Sequence, residues 1–309
     1  MDPLSDVLSL LKPRNYMSAG FEAGGAWAIR FPDQQKTIKC GAVVTGQCWL
    51  SVEGVAEPVL LETGDCFLLP AGRTFQIASD LALTPVDARS VFPPAHHGGV
   101  ITHQGGGDFS LVSSRFGLAG RHADVLLRTL PPIVHIRNEP AQAALRWSVE
   151  RMMLEMRAPQ PGGFLVIEHL AHMVLVQALR LHLSEQPEGA VGWLFALADA
   201  RMSAAISAMH AEPAHPWTLQ SLAQRAAMSR SSFAQRFKDR VGLAPMEYLT
   251  RWRMLLAADR LLHSREPISV IAPALGYESE SAFSTAFKRV MGCAPRQYGQ
   301  TQIGVAPAA

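Results

Sequence analysis

The sequence predicts an α+β protein of several domains: an N-terminal antiparallel β-barrel, a helical connector and a C-terminal all-α domain with two helix-turn-helix units. Residues 20–115 hold short apolar runs separated by Gly, Pro and Asp, which is typical of barrels and sandwiches. Residues 136–205 hold long stretches with helical spacing, and residues 206–300 contain one residue pattern twice, fifty positions apart. A chain of 309 residues is long enough to build two separate cores.

These observations divide the chain into four segments. We expect a regulatory domain at residues 1–135 and a helical connector, with a dimerisation surface, at 136–205. The duplicated helix-turn-helix domain is expected at 206–300 and a flexible tail at 301–309.

Composition and cysteine usage place the chain in the cytoplasm. With 48% hydrophobic residues it is neither disordered nor fibrous, and its N-terminus lacks the basic start and apolar block of a secretory signal. Four cysteines without a Cys-x-x-Cys pair indicate reduced thiols. The most apolar stretch, 164–183, contains too many polar groups for a bilayer, so we expect a buried or interface helix and no membrane segment. Those polar groups are Glu168, His169, His172, Gln177 and Arg180.

Positive charge is concentrated in the duplicated region. Residues 206–300 carry twelve Lys and Arg against seven Asp and Glu, a net charge of +5, whereas the remaining residues carry −3. This distribution is expected for contact with a polyanion, although a solvated surface can carry the same charge.

The N-terminal and connecting elements are read from short patterns. Strands are predicted around Gly41–Thr45, Cys48–Val52 and Cys66–Leu69, and helices over 140–157, 163–183 and 192–209. The Pro and Gly cluster at 158–163 separates the first two helices.

The duplication aligns serine, two phenylalanines, lysine, glycine, proline and tyrosine at one fixed offset. The first copy has Ser229, Phe233, Phe237, Lys238, Gly242, Pro245 and Tyr248; the second has Ser279, Phe283, Phe287, Lys288, Gly292, Pro295 and Tyr298.

Each copy has the pattern of a helix-turn-helix. In the first copy, Thr218 is predicted to cap one helix and Ser229 a second helix that buries Phe233 and Phe237. In the second copy, Ser269 and Ser279 are the predicted caps. Gly276 is expected to supply the turn of the second copy.

Two further features belong to the duplicated region. Pro273 interrupts the first helix of the second copy, and we expect it to shift the start of that helix without abolishing the fold. A long helix over Pro245–His263 is predicted to connect the copies rigidly.

The outward polar residues of the two second helices, with two arginines of the connecting helix, are the predicted DNA contacts. Serines and Gln235 would bond to base edges in the major groove, and basic side chains would contact phosphates. The predicted contacts are Arg230, Ser231, Ser232, Gln235, Arg236, Arg251, Arg253, Glu280, Ser281, Ser284, Thr285 and Lys288. Because the outward faces of the copies differ, one chain should recognise two unlike DNA segments.

The segment Ile268–Tyr298 carries I-S-V-I-A-x3-G-Y-x-S-x3-F-x3-F-K-x3-G-x2-P-x2-Y and closely resembles the signature of AraC/XylS-type transcription regulators. The resemblance extends over about 206–300. It implies a sequence-specific DNA-binding regulator, an activator in many members, with promoter or operator DNA and RNA polymerase as partners.

The N-terminal region resembles the cupin motifs without their metal ligands. Gly64-x5-Pro70-x-Gly72-x2-Phe75-x3-Ser79 has the spacing of the second motif, and Cys40-x-Ala42-x4-Gln47-x6-Gly54 can be aligned with the first. Where that family has His, His, Glu and His, this chain has Cys, Ala, Gln and Phe. Alanine and phenylalanine cannot coordinate a metal, so we predict no catalytic metal and no cofactor.

The resemblance implies that the cupin-like domain senses a small effector. The candidate pocket residues are Cys40, Gln47, Trp49 and Phe75, and their alternative is plain barrel core. A redox switch on Cys40, Cys48 and Cys66 is a second hypothesis, against which stands the expectation of buried, inert thiols.

Three alternatives concern the whole chain. A cupin-type metalloenzyme with an accessory helical domain is disfavoured by the missing histidines. A helical adaptor would bind proteins through the 163–183 face and never DNA. The connector helices either form a homodimer or pack within one chain.

Overall fold

The computed structural model describes residues 2–33, 37–92, 99–117, 130–137, 143–185, 191–264 and 266–300. The predicted tail at 301–309 lies outside the described residues. The chain forms two compact units. The sheet unit comprises Pro13–Ala119 and Leu130–Glu185, and the helical unit comprises Met1–Lys12, Gly120–Thr129 and Gln186–Ala309. These units group residues by contact, so the first twelve residues belong with the C-terminal ones, unlike in the predicted division at 135 and 205.

Eleven strands are described in the sheet unit, in two sheets. The strands are β1 Arg14–Ala23, β2 Ala28–Phe31, β3 Thr37–Thr45, β4 Gln47–Val52, β5 Val59–Glu62, β6 Cys66–Leu69, β7 Phe75–Ala78, β8 Val86–Asp87, β9 Val100–His103, β10 Phe109–Gly117 and β11 Val134–Ile136. One sheet has the order β11-β6-β3-β10-β1-β9, and the other has the order β5-β4-β7-β2-β8.

The two sheets share one hydrophobic core. Phe21, Val43 and Phe67 reach it from the six-stranded sheet, and Leu50 and Ile77 from the five-stranded sheet. The predicted sheet domain is therefore confirmed with a correction: the sheets are open, and the pairs β1–β9 and β2–β8 are parallel. A cause is visible in the strand lengths, since the four-residue strands and the two-residue β8 offer too few backbone partners to close a barrel.

Three helices complete the sheet unit: α2 Ala88–Val91, α3 Ala143–Arg157 and α4 Gly163–Glu185. By length and composition alone, Gly163–Ser184 could cross a membrane. However, α4 packs on α3 and on β1, β6 and β11, which is the position of a core helix. His172 lies on its strand-facing side, where its Nε2 is 2.8 Å from the carbonyl oxygen of Pro13.

The helical unit contains α1 Pro3–Leu11, α5 Trp193–Ala196, α6 Ala200–Ala211, α7 Leu219–Arg225, α8 Arg230–Val241, α9 Pro245–His263, α10 Ile268–Ala274, α11 Glu280–Met291 and α12 Pro295–Gln300. The predicted helix at 192–209 is divided, because the Asp199 carboxylate accepts from the backbone N–H groups of Arg201 and Met202 and starts a new helix there. The connecting helix α9 has the predicted bounds. It contacts α8 of the first copy and α10, α11 and α12 of the second.

The caps of the duplicated unit follow the sequence with one exception. Thr218, Ser229 and Ser279 each accept a backbone N–H bond from the residue three positions later, as predicted. The predicted cap at Ser269 is wrong, because the helix already begins at Ile268 behind Pro267. Proline lacks a cap side chain but has an extended backbone that suits the position before a helix.

The N-terminal helix α1 is part of the helical unit. It contacts α6 and α9 through a face that includes Leu4, Val7 and Leu11, and all three are buried. Lys12, at its end, donates to Asp259 of α9 at 2.7 Å. This packing was not predicted, because a nine-residue amphipathic helix does not reveal which surface it will cover.

Candidate nucleic-acid interface

The second helix of the first copy, α8, has one buried face and one wet face. Phe233 and Phe237, four residues apart, are completely buried with ring centroids 5.5 Å apart. The Ser229 hydroxyl accepts from the backbone N–H of Ser232 at 3.3 Å and fixes the start of the helix. The predicted contacts on this helix are all exposed: Arg230, Ser231, Ser232, Gln235 and Arg236.

Two of these side chains already have partners within the helical unit. The Arg236 guanidinium donates to the Asp199 carboxylate at 2.8 Å from Nε and 2.6 Å from Nη2. The Gln235 amide donates to Asp239 one turn later at 2.8 Å. The amide oxygen of Gln235 and the exposed Arg230 are the groups at the start of α8 best placed to meet a ligand.

The corresponding helix of the second copy, α11, repeats this arrangement with different outward chemistry. Phe283 and Phe287 are completely buried, with centroids 5.8 Å apart. The Ser279 hydroxyl accepts from the backbone N–H of Ala282 at 3.2 Å. Of the predicted contacts on this helix, Ser284 is half-buried and the others are exposed, namely Glu280, Ser281, Thr285 and Lys288.

The two arginines of the connecting helix differ in their surroundings. Arg251 is half-exposed and donates to Glu247, one turn earlier, at 2.8 Å. Arg253 donates to the carbonyl oxygens of Pro213 and His215 at 2.6 and 2.9 Å and lies 5.8 Å from the Tyr277 ring. Arg253 therefore holds the loop before α7, and burial lowers its pKa. For Arg253 a structural role is visible, and DNA contact stays a prediction.

Helical spacing identifies two basic residues that the sequence analysis missed. Arg240 follows Ser232 and Arg236 at intervals of four, and Arg289 follows Ser281 and Thr285 in the same way. Both are exposed. The fixed four-residue interval was the available signal.

The four candidate effector residues do not surround one site. Phe75 faces the core shared by the two sheets and stacks on Phe31, with centroids 4.5 Å apart. Cys40 is buried on the opposite face of β3 from the core residue Val43. Exposed Gln47 and half-buried Trp49 alternate with the core residues of β4, so they point away from that core.

The cysteines of the sheet unit are in apolar surroundings. Burial raises the pKa of the Cys40 and Cys48 thiols to about 12, and burial also raises the pKa of Cys66 well above its usual range. The thiolate, which is the reactive form, is therefore disfavoured at all three positions. This environment supports inert thiols over a redox switch.

The cupin metal position cannot be built from the residues present. Ala42 and Phe75 carry no donor atoms, and Cys40 lies on the face of β3 away from the core. Across the described ranges, no cluster of three His, Cys, Asp or Glu side chains could hold a metal ion. The residues His96 and His97 lie outside the described part of the chain.

Comparisons with known proteins cover both units. A family profile described as "Cupin" matches residues 2–184, and one described as "Helix-turn-helix domain" matches residues 222–301. A protein of Streptomyces antibioticus described as an AraC-like transcription regulator is 44% identical over 96% of this chain and 98% of its own. The transcriptional regulator AlkR of Acinetobacter baylyi is 29% identical over 97% of this chain and 99% of its own.

One solved structure is also similar to the C-terminal part of the chain. It is the DNA-binding domain of the transcriptional factor AdpA in complex with a target DNA, which is 27% identical. The similarity covers 36% of this chain and 92% of that one, with a TM-score of 0.28.

Proposed function

Because the chain belongs to the AraC-like transcription regulators, we propose that α8 and α11 read two unlike segments of promoter DNA and that the sheet unit responds to a small effector. The protein itself is a sequence-specific DNA-binding transcription regulator, and its family is one of regulators and not of enzymes. The observation that carries the proposal is the pair of helices with identical buried faces and different exposed faces. Identical cores position the helices in the same way, and different outer residues meet different bases.

The roles of the exposed residues follow from their chemistry. Ser231, Ser232 and Gln235 of α8, and Ser281 and Thr285 of α11, carry short donors and acceptors suited to base edges. Glu280 can accept from the amino group of a cytosine. The basic side chains suit phosphates, namely Arg230, Arg236, Arg251, Arg253 and Lys288 as predicted, with Arg240 and Arg289 added here.

Gel-shift titration of the full chain against DNA upstream of its own and neighbouring genes tests DNA reading. Gln235→Ala should lower discrimination at particular bases, whereas Arg251→Ala should weaken binding to all sequences and reduce the salt slope by about 1. Glu247→Gln is the matched control, since it releases Arg251 without removing a positive charge. The proposal fails if neither Gln235→Ala nor Arg251→Ala changes binding.

We place the protein in the cytoplasm, since its relatives are bacterial transcription regulators. RNA polymerase is the partner through which a promoter-bound activator would work, and a homodimer is the proposed assembly. The exposed apolar side chains of Trp147 and Leu154 on α3 support dimerisation, because large exposed apolar groups mark interaction surfaces. Sedimentation analysis should show a dimer that Leu154→Glu converts to monomer; an unchanged mass would contradict this assembly.

A further inference from the structure

We infer that the sheet unit binds an organic monocarboxylate, with the carboxylate at Lys39 and Arg115 and an apolar body against Phe31 and Phe75. This inference rests on the proposed response to a small effector and specifies the class of that effector. It starts from a charged side chain inside an otherwise apolar core.

Lys39 reaches into the space between the two sheets. It lies on β3 of the six-stranded sheet and is 8% exposed. Its Nζ donates to the Ser113 hydroxyl at 2.9 Å and lies 5.7 Å from the ring centroid of Phe31, which belongs to the five-stranded sheet. The ammonium group therefore occupies the interior, and its aliphatic stem does not carry it to the surface.

A second cation lies beside it. Arg115 of β10 is directly opposite Lys39 in the β10–β3 ladder, so both side chains leave the same face of the sheet. Ser113, two residues before Arg115, shares that face. The charge of Arg115, together with burial, lowers the pKa of Lys39 to about 7.

Two facing cations in an apolar interior indicate an anionic ligand. Buried charges are ordinarily paired, and like charges opposite each other on a sheet destabilise it. Within the described ranges, the ion pairs include no carboxylate bonded to Lys39. A bound carboxylate would accept from the Lys39 ammonium and the Ser113 hydroxyl, and it would offset the repulsion from Arg115.

The neighbouring surface selects an apolar body for this anion. The rings of Phe31 and Phe75 are stacked with an interplanar angle of 5°, and Phe92 lies 5.4 Å from Phe31. Leu69 is opposite Lys39 on its other side, in the β3–β6 ladder. A strongly hydrated dianion or a polyol would lose its water here without replacement partners, whereas an alkyl or aryl group would gain apolar contact.

The site has a side that a small molecule can approach. Met17 and Arg115 are paired neighbours near the ends of their strands, and both are half-buried, whereas Lys39 beyond them is buried. A ligand entering past Met17 would meet Arg115 first and Lys39 second.

Isothermal titration calorimetry on the full chain tests the inference with octanoate and 3-phenylpropanoate against their primary amides, octanamide and 3-phenylpropanamide. At least one acid should bind about tenfold or more tightly than its amide, which is the scale of one charge-assisted hydrogen bond. Lys39→Met and Arg115→Gln should remove that preference. Arg30→Gln, an exposed arginine on β2, is the matched control and should bind like the unaltered chain.

A pH series on the unaltered chain provides a measurement that needs no variant. Only protonated Lys39 can pair with the carboxylate, so affinity should fall by roughly tenfold per pH unit above 7. Absence of binding by either acid, equal binding of acids and amides, or a flat pH profile would overturn the inference. Failure of the unaltered chain to shift promoter DNA would contradict the proposed function instead, because carboxylate binding is measured without DNA.

Discussion

Arg236 of the first reading helix donates two hydrogen bonds to Asp199, 37 residues earlier in the chain, at 2.8 and 2.6 Å. Asp199 also caps α6, so its carboxylate joins the start of one helix to the exposed face of another. A side chain that sequence spacing assigns to phosphate contact is therefore also part of the structure of the helical unit. The two roles can be separated by measurement.

We expect Arg236→Ala to lower both stability and DNA affinity. Loss of a partly exposed ion pair and its hydrogen bonds should cost about 1 kcal/mol of unfolding free energy. Arg230→Ala, in which an exposed arginine of the same helix is removed, should lower DNA affinity and leave stability unchanged. Urea denaturation and gel-shift titration measure the two effects; equal stability loss in both variants would contradict the structural role of Arg236.

Phe283→Ala should disable the second reading helix while the first stays folded. Phe283 is completely buried among residues of α9, α10, α11 and α12, and its truncation should cost about 3–5 kcal/mol. Footprinting should show loss of protection over one of two DNA segments. Ser284→Ala, its half-buried neighbour, serves as the control for folding; uniform loss of protection over both segments in Phe283→Ala would argue against separate reading by two helices.

Leu11→Ala should destabilise the helical unit although the residue lies near the N-terminus. Leu11 is 2% exposed on α1, and a leucine-to-alanine change in a core costs about 2–5 kcal/mol. Hydrogen exchange followed by mass spectrometry should show faster exchange in α6 and α9, which α1 contacts. Ser9→Ala, on the exposed side of α1, should leave exchange unchanged. Faster exchange confined to the sheet unit would contradict the assignment of α1.

Stability should rise with pH between 7 and 9 because of Lys39. Its pKa in the folded protein is lowered to about 7, whereas the unfolded chain keeps the ordinary value for lysine, so in this window the unfolded state binds more protons. Lys39→Met should remove this slope and raise stability at pH 7, since it eliminates a buried charge. Denaturation midpoints at pH 7, 8 and 9 measure the effect, and an unchanged slope in Lys39→Met would show that another group is responsible.

The duplicated domain was readable from sequence because its determinants are local. Caps at Thr218, Ser229 and Ser279, the four-residue spacing of phenylalanines and the bounds of Pro245–His263 each depend on residues within a few turns. The misplaced cap at Ser269 has the same origin in reverse. Serine is a strong local signal, but Pro267 already ends the preceding loop and the helix starts before the serine is reached.

The effector residues were less readable because strand faces depend on register. Sequence placed Cys40, Gln47, Trp49 and Phe75 together by alignment to motif positions. In the folded sheets a one-residue difference reverses the direction of a side chain, so Phe75 and Lys39 face the interior whereas Gln47 and Trp49 face away.

The sequence by itself determined that this protein carries two copies of a DNA-reading unit with equal cores and unequal faces, since that information lies in side chains a few residues apart. Only the tertiary structure decided which chemistry its distant parts assemble. It joined Arg236 to Asp199, placed α1 on α9 through Lys12 and Asp259, and set Lys39 against Arg115 between two sheets. The physical reason is that burial and charge pairing depend on which segments pack together, and packing of segments far apart in the chain leaves no periodic trace in the sequence.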